Sequence, residues 1–220
     1  MVGNDFVEYE KLIEKILSYF AGPSLRDELS IARAEFFSNS GTLDEQSDNY
    51  ELRMSQFYDW YFFTRNLRGF GHTPLDSRHL VRELRFSDHE ESLILKLKNF
   101  RHSLFEVVKI KGSEITITDL FRQEKLKLVY DQNLHGIEVK DIFDVRLLPS
   151  KESWIFTKGF CFHPIEARKF ILAEVKKHIK DPDLDREMFM LRLIKMKYKF
   201  EQYRHVSPEL VYSEQNILKI

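Results

Sequence analysis

Asp59 stands inside a ring-rich run, with Phe57, Tyr58, Trp60, Tyr61, Phe62 and Phe63 around it. A carboxyl group among rings loses hydration and holds its proton more tightly, which is one way enzymes make general acids. Arg65 and His72 follow closely enough to share a small pocket with it. The plainer reading is an ion pair between Asp59 and Arg65 or Arg68. His72 sits in Gly71-His72-Thr73-Pro74, just ahead of a helix start, where an imidazole can act as a base or hold a phosphate. More often such a residue is a turn side chain with one local hydrogen bond.

Two further patterns suggest chemistry and then fail part of the test. Cys161 and His163 are two apart in FCFHP, so on a strand they share a face and could form a thiol–imidazole dyad. A half-buried cysteine beside an incidental histidine is the commoner case. Asp181-x-Asp183-x-Asp185 opens like a calcium loop, but its sixth residue is Arg186 where glycine is needed and its twelfth is Arg192 where glutamate is needed. Those acids read better as caps for the helix that follows. The eight histidines are scattered with no i, i+4 pair, so no metal or other cofactor is expected.

The best local signal is LRLIKMKYKFEQYRH. Phe189, Leu193, Met196, Phe200 and Tyr203 make an apolar stripe, with Arg192, Lys195 and Lys199 on one flank and Lys197 and Arg204 on the other. Rows of cations beside rings can follow a phosphate backbone while the rings stack on bases. Lys176 and Lys177 on the preceding helix, and Lys125 and Lys127 on a β-hairpin, would enlarge that face if they pointed the same way. The alternative is a core helix whose lysines cover its own edges. A formal net charge of -1 gives no whole-chain attraction to nucleic acid or an anionic membrane.

These residues need elements to hold them. Apolar spacing predicts a helix over Phe6–Phe20, a second over Leu25–Phe37 capped by Ser24, and a central aromatic helix from about Leu43 or Ser47 to Leu67. Thr73-Pro74 opens a shorter helix to about Leu84, and Ser87 with Glu90 forms a capping box for the next. At Ser103 the period changes to two. LFEVVKI and EITITDL around Lys111-Gly112 read as a hairpin, and EKLKLVY, DIFDVRLLP and SWIFTKGFCF as three more strands. Pro164 opens a helix that Asp181-Pro182-Asp183 ends, and a long helix runs from Leu184 to Tyr203. VSPELVYSEQNILKI is an appended arm with apolar residues for partner docking.

Five of these elements, in order, carry a likeness: Asp59-Trp60-Tyr61, Gly71-His72-Thr73-Pro74, Ser103–Val107, Ile117–Leu120 and Arg146–Pro149. Together they resemble uncharacterised bacterial proteins of the SEC-C-motif-associated type. Those have an acid–Trp helix, a G-x-T-P turn, an S-L-[YF]-E-V strand and an R-L-[LV]-P strand. The resemblance covers about half the chain and implies a fold rather than an activity. This chain lacks the C-terminal zinc motif, and Thr64 stands where that group often has an acid.

The expected fold is α+β. A helical region (1–101) precedes a β-rich module (102–162), a small antiparallel five-strand sheet or partly open barrel. C-terminal helices (163–205) pack on the same core, and an arm follows (206–220). Single cysteine usage suits a reducing, cytoplasmic setting, and no apolar run is long enough to span a bilayer. No nucleophile elbow, P-loop or paired-carboxylate motif points to an enzyme. The first expectation is a non-enzymatic binding or adaptor module whose partner is another protein or a second copy. The second is a nucleic-acid-binding protein, and the third an enzyme with a site at Asp59, Arg65 and His72.

Overall fold

The aromatic run is interior, and the first unit forms around it. A computed structural model describes residues 2–129, 136–151, 153–203 and 205–215 of the chain. They form two compact units, and neither is one continuous stretch. The first takes Met1–Phe36, Gln46–Arg101 and Arg146–Gly159; the second takes Phe37–Glu45, His102–Val145 and Phe160–Ile220. The architecture is α+β.

In the first unit, α1 (Val2–Phe20) and α2 (Arg26–Ser40, most of it here) accompany α3 (Tyr50–Phe63). Phe57, Tyr61 and Phe62 are fully buried and Trp60 nearly so, as an all-round apolar helix requires. Phe57 stacks on Tyr61 with centroids 5.8 Å apart, Phe36 meets Trp60 at 5.3 Å, and the buried Tyr61 hydroxyl donates to the Phe20 carbonyl at 2.8 Å. Three boundaries differ from expectation. Ser24 lies inside a short 3₁₀ turn, Pro23–Leu25, and does not cap α2. α3 stops at Phe63, because the amides of Thr64 and Arg65 both turn to the Trp60 carbonyl. The Thr73–Pro74 helix, α4 (Pro74–Ser77), passes into a 3₁₀ turn by Arg78 rather than reaching Leu84. The Ser87/Glu90 capping box of α5 (Asp88–Leu97) forms in both directions.

In the second unit, β1 (Arg101–Lys111), β2 (Glu114–Asp119) and β3 (Glu124–Val129) form an antiparallel meander. Gly112 at φ +58° makes the first turn, and a register shift between Val107 and Lys109 bends β1. The path order is β3-β2-β1-β4-β5, where β4 is Ile142–Pro149 and β5 is Trp154–Phe156; β6 (Cys161–His163) also pairs with β4. The expected strand SWIFTKGFCF is therefore two strands, one on each half of β4. Near the break the chain passes close to α3: a side chain at Gly159 would meet the Asp59 carboxylate at 2.5 Å and the Gln56 backbone at 3.1 Å.

α6 (Arg168–Lys180), α7 (Arg186–Gln202) and α8 (Pro208–Val211) complete the second unit. Asp185 caps α7 by accepting from the Met188 amide, the role expected of that acid run. Ile171, Phe189, Leu193 and Met196 share one apolar core with Val211 and Tyr212. The arm is thus packed through those two side chains, a correction to its reading as an exposed apolar segment. Leu210 stays open at 68% exposure, and 216–220 lie outside the described residues. Among the described residues no helix is long and apolar enough to cross a membrane.

Candidate functional site

α7 presents its apolar stripe inward and its cations to one side. Phe189, Leu193 and Met196 are buried, whereas Tyr203 at the helix end is 48% exposed, outside the stripe it was assigned to. Helical spacing brings Arg192, Lys195 and Lys199 together. Lys195 donates to the Ser38 carbonyl at 3.0 Å, and its ammonium pKa is lowered by burial, then by Lys199 and Arg192. The Arg192 Nε is buried without a hydrogen-bond partner among the described residues. Among the described residues no carboxylate pairs with these three cations. The result is a patch of unrelieved positive charge.

The other lysines of the expected basic face behave differently. Lys177 is held by Glu174 at 2.6 Å and by Glu214. Lys197 is paired with Glu201 at 2.9 Å. Lys176, Lys125 and Lys127 are exposed on α6 and β3, and they are not among the groups that act on Lys195. Arg204 lies outside the described residues.

In the first unit, Asp59, Arg65 and His72 separate. Arg65 donates through Nε to Glu35 at 2.8 Å and through Nη1 to Glu28 at 2.5 Å. Burial alone would raise the Glu28 pKa, but the Arg65 hydrogen bond and the Arg68 amide hold it below the usual range. His72 is exposed, and its carbonyl accepts from the Leu67 amide and the Ser77 hydroxyl. Asp59 accepts from the Gly159 amide at 3.2 Å and lines a cleft of about 430 Å³; neither Arg65 nor His72 lines it. Phe6, Ile13 and Leu17 of α1 and Leu148 of β4 make its apolar wall, and Thr157, Lys158, Glu10 and Glu14 its polar rim. Tyr9 also lines it; its hydroxyl donates to the Pro149 carbonyl at 2.7 Å and is pushed up to about 12 by burial, helped by Asp5 and Glu8.

Arg146 explains an odd position. It is buried, donates to the Thr64 hydroxyl at 2.7 Å, and leaves its Nε without a partner. An acid at position 64 would face that guanidinium directly.

Sequence reasoning passed over His102 and named His163 only beside Cys161. His102 sits between two carboxylates, with Nδ1 at 2.9 Å from Glu187 and Nε2 at 2.8 Å from Asp144. Both contacts are hydrogen bonds to ionised acids only when both ring nitrogens carry hydrogen. Cys161 and His163 do share a buried face of β6, but the His163 Nδ1 is 3.2 Å from the Tyr212 hydroxyl and its Nε2 has no partner. Burial pushes the His163 pKa down to about 4, with Lys197 acting the same way against Asp144. The i, i+2 spacing placed His163 on one face with Cys161, but the partners of both histidines lie on elements distant along the chain, where no spacing shows them.

No curated protein and no solved structure matches the chain. A family model does match, over residues 8–205, which takes in every described strand, most of α1 and the helices α2 to α7, and the chain belongs to the family of unknown function DUF7986.

Proposed function

We propose that the protein is a non-enzymatic binding module of the cytoplasm and that the flank of α7 receives a nucleic-acid phosphate backbone. One observation carries the reading: Arg192, Lys195 and Lys199 are gathered on one side of a helix with no acid among the described residues to pair them, and a half-buried ammonium is part of the set. Gathering like charges is unfavourable, and an anionic partner offsets it. The three positions span about 10 Å of helix, roughly three nucleotide steps of duplex. Tyr203, exposed a turn beyond Lys199, is placed to stack on a base. So short a footprint implies modest affinity with a modest salt slope.

The test is fluorescence anisotropy with a single-stranded and a duplex oligonucleotide at low salt. Binding should weaken as salt rises, and Lys195→Gln with Lys199→Gln should weaken it further at every salt concentration. No binding to either oligonucleotide at low salt rejects the reading.

A protein partner, the expectation placed first from sequence, is favoured by β3. That strand ends the sheet path, and Val129 at its end is 46% exposed. An extended peptide could add to such an edge. A peptide-array screen that finds extended segments binding, and losing affinity on Val129→Pro, would favour this second reading.

A further inference from the structure

We propose that β3 is a docking edge for an extended acidic segment of another protein, one in which acids alternate with aliphatic residues. This deepens the second reading above, that β3 takes an extended peptide, and rests on it.

Among the described residues β2 is the one strand paired with β3, which leaves the far edge of β3 open to a further strand. The two faces of β3 differ. Lys125, Lys127 and Val129 are exposed on one, and Leu126 and Leu128 are buried on the other. The register with β2 shows what a partner strand meets: Thr118 faces Lys125, Ile117 faces Leu126, Thr116 faces Lys127 and Ile115 faces Leu128. A strand added to the far edge repeats that alternation. Its inward positions extend the layer of Ile115, Ile117, Leu126 and Leu128 and take aliphatic side chains. Its outward positions lie beside Lys125 and Lys127, where a carboxylate is attracted and an ammonium repelled.

The neighbouring charge favours the same sign of partner. Lys109, exposed on β1, continues the row of Thr116 and Lys127. Glu106 continues the row of Thr118 and Lys125, but Arg168 already holds it at 2.6 Å. Lysines on an edge strand ordinarily keep other strands away. Here they also select. A second copy of β3, added antiparallel with matching faces, sets Lys125 against Lys127, whereas glutamates at those positions turn repulsion into attraction.

Laid antiparallel along the six residues Glu124–Val129, the matching peptide is Thr-Val-Glu-Val-Glu-Lys. In fluorescence anisotropy with the full chain this peptide should bind. The charge-reversed Thr-Val-Lys-Val-Lys-Glu and the reordered Glu-Glu-Val-Val-Thr-Lys should each bind about tenfold more weakly. Lys125→Glu, at an exposed position, should weaken the matching peptide about tenfold and strengthen the charge-reversed one. N-methylation of one alternate set of peptide amides should abolish binding, and methylation of the other set should spare it, as strand addition requires. Equal binding of the matching and charge-reversed peptides would overturn the acidic partner and leave the edge reading standing. No binding by either would overturn both. Equal binding of the reordered peptide, or indifference to N-methylation at both sets, would mean attraction of any polyanion by charge alone, nucleic acid included, and would overturn the proposal too.

Discussion

Arg65 in the first unit and Lys195 in the second are both cations removed from water, and burial pushes both toward the neutral form. Their outcomes are opposite. Arg65, with 5% of its side chain exposed, is met by Glu28 and Glu35, and its pKa ends up raised although burial acts against it. Lys195 is met by a carbonyl and two more cations, and its pKa ends up lowered. A cation the fold has fully paired serves the fold. One left with like-charged neighbours is available to a partner from outside. The contrast separates the ionic clusters of this chain into scaffold and candidate surface.

The largest effect that could break the contrast is at Arg65. Arg65→Met should lower stability by about 3–5 kcal/mol in urea unfolding, since Glu28 would be left buried and uncompensated. A loss below 1 kcal/mol would mean the pair does not support the first unit.

Next comes the second unit's core, where His163 is neutral and buried. An unfolded imidazole takes up its proton near 6.5, whereas the folded one does so only near 4. Between those values the unfolded chain holds more protons, so stability falls as pH falls, by about 3 kcal/mol across the window. His163→Phe should flatten unfolding free energy over that range. An unchanged pH slope in the variant would place the effect elsewhere.

Arg146 sharpens the contrast within the first unit itself, being buried like Arg65 but paired with a hydroxyl and, among the described residues, with no carboxylate. Thr64→Asp should raise stability by about 1 kcal/mol in the same urea measurement. A destabilised variant would count against the pairing.

The smallest effect is on the α7 flank. Lys195→Gln should leave stability within about 0.5 kcal/mol of the original or raise it slightly. A loss well above that would make Lys195 a structural tie to Ser38 and erase the distinction from Arg65.

What could be read from sequence was whatever neighbours in the chain decide. The Ser87/Glu90 box, the Gly112 hairpin, the Asp185 cap and the burial of Phe57 through Phe63 all follow from spacing within a few residues. Failures came where distant contacts decide. SWIFTKGFCF is split into β5 and β6, with Gly159 between them meeting Asp59, 100 positions earlier. Asp59 was assigned to the wrong company for the same reason: Arg65 pairs with acids 30 and 37 positions upstream. His102 gave no signal, with partners 42 and 85 positions away. The arm's Val211 and Tyr212 looked exposed because their cover comes from α7 and β6, not from their own turn. Arg192, Lys195 and Lys199 were legible as a row, since helical spacing alone sets it. Their lack of acids was not.

The central claim is that the α7 flank meets phosphates, and the salt dependence of binding tests it most directly. The logarithm of affinity for one oligonucleotide should fall linearly with the logarithm of salt, and the slope should drop by about one for each of Lys195→Gln and Lys199→Gln. A slope identical in the original chain and in both variants would contradict the account.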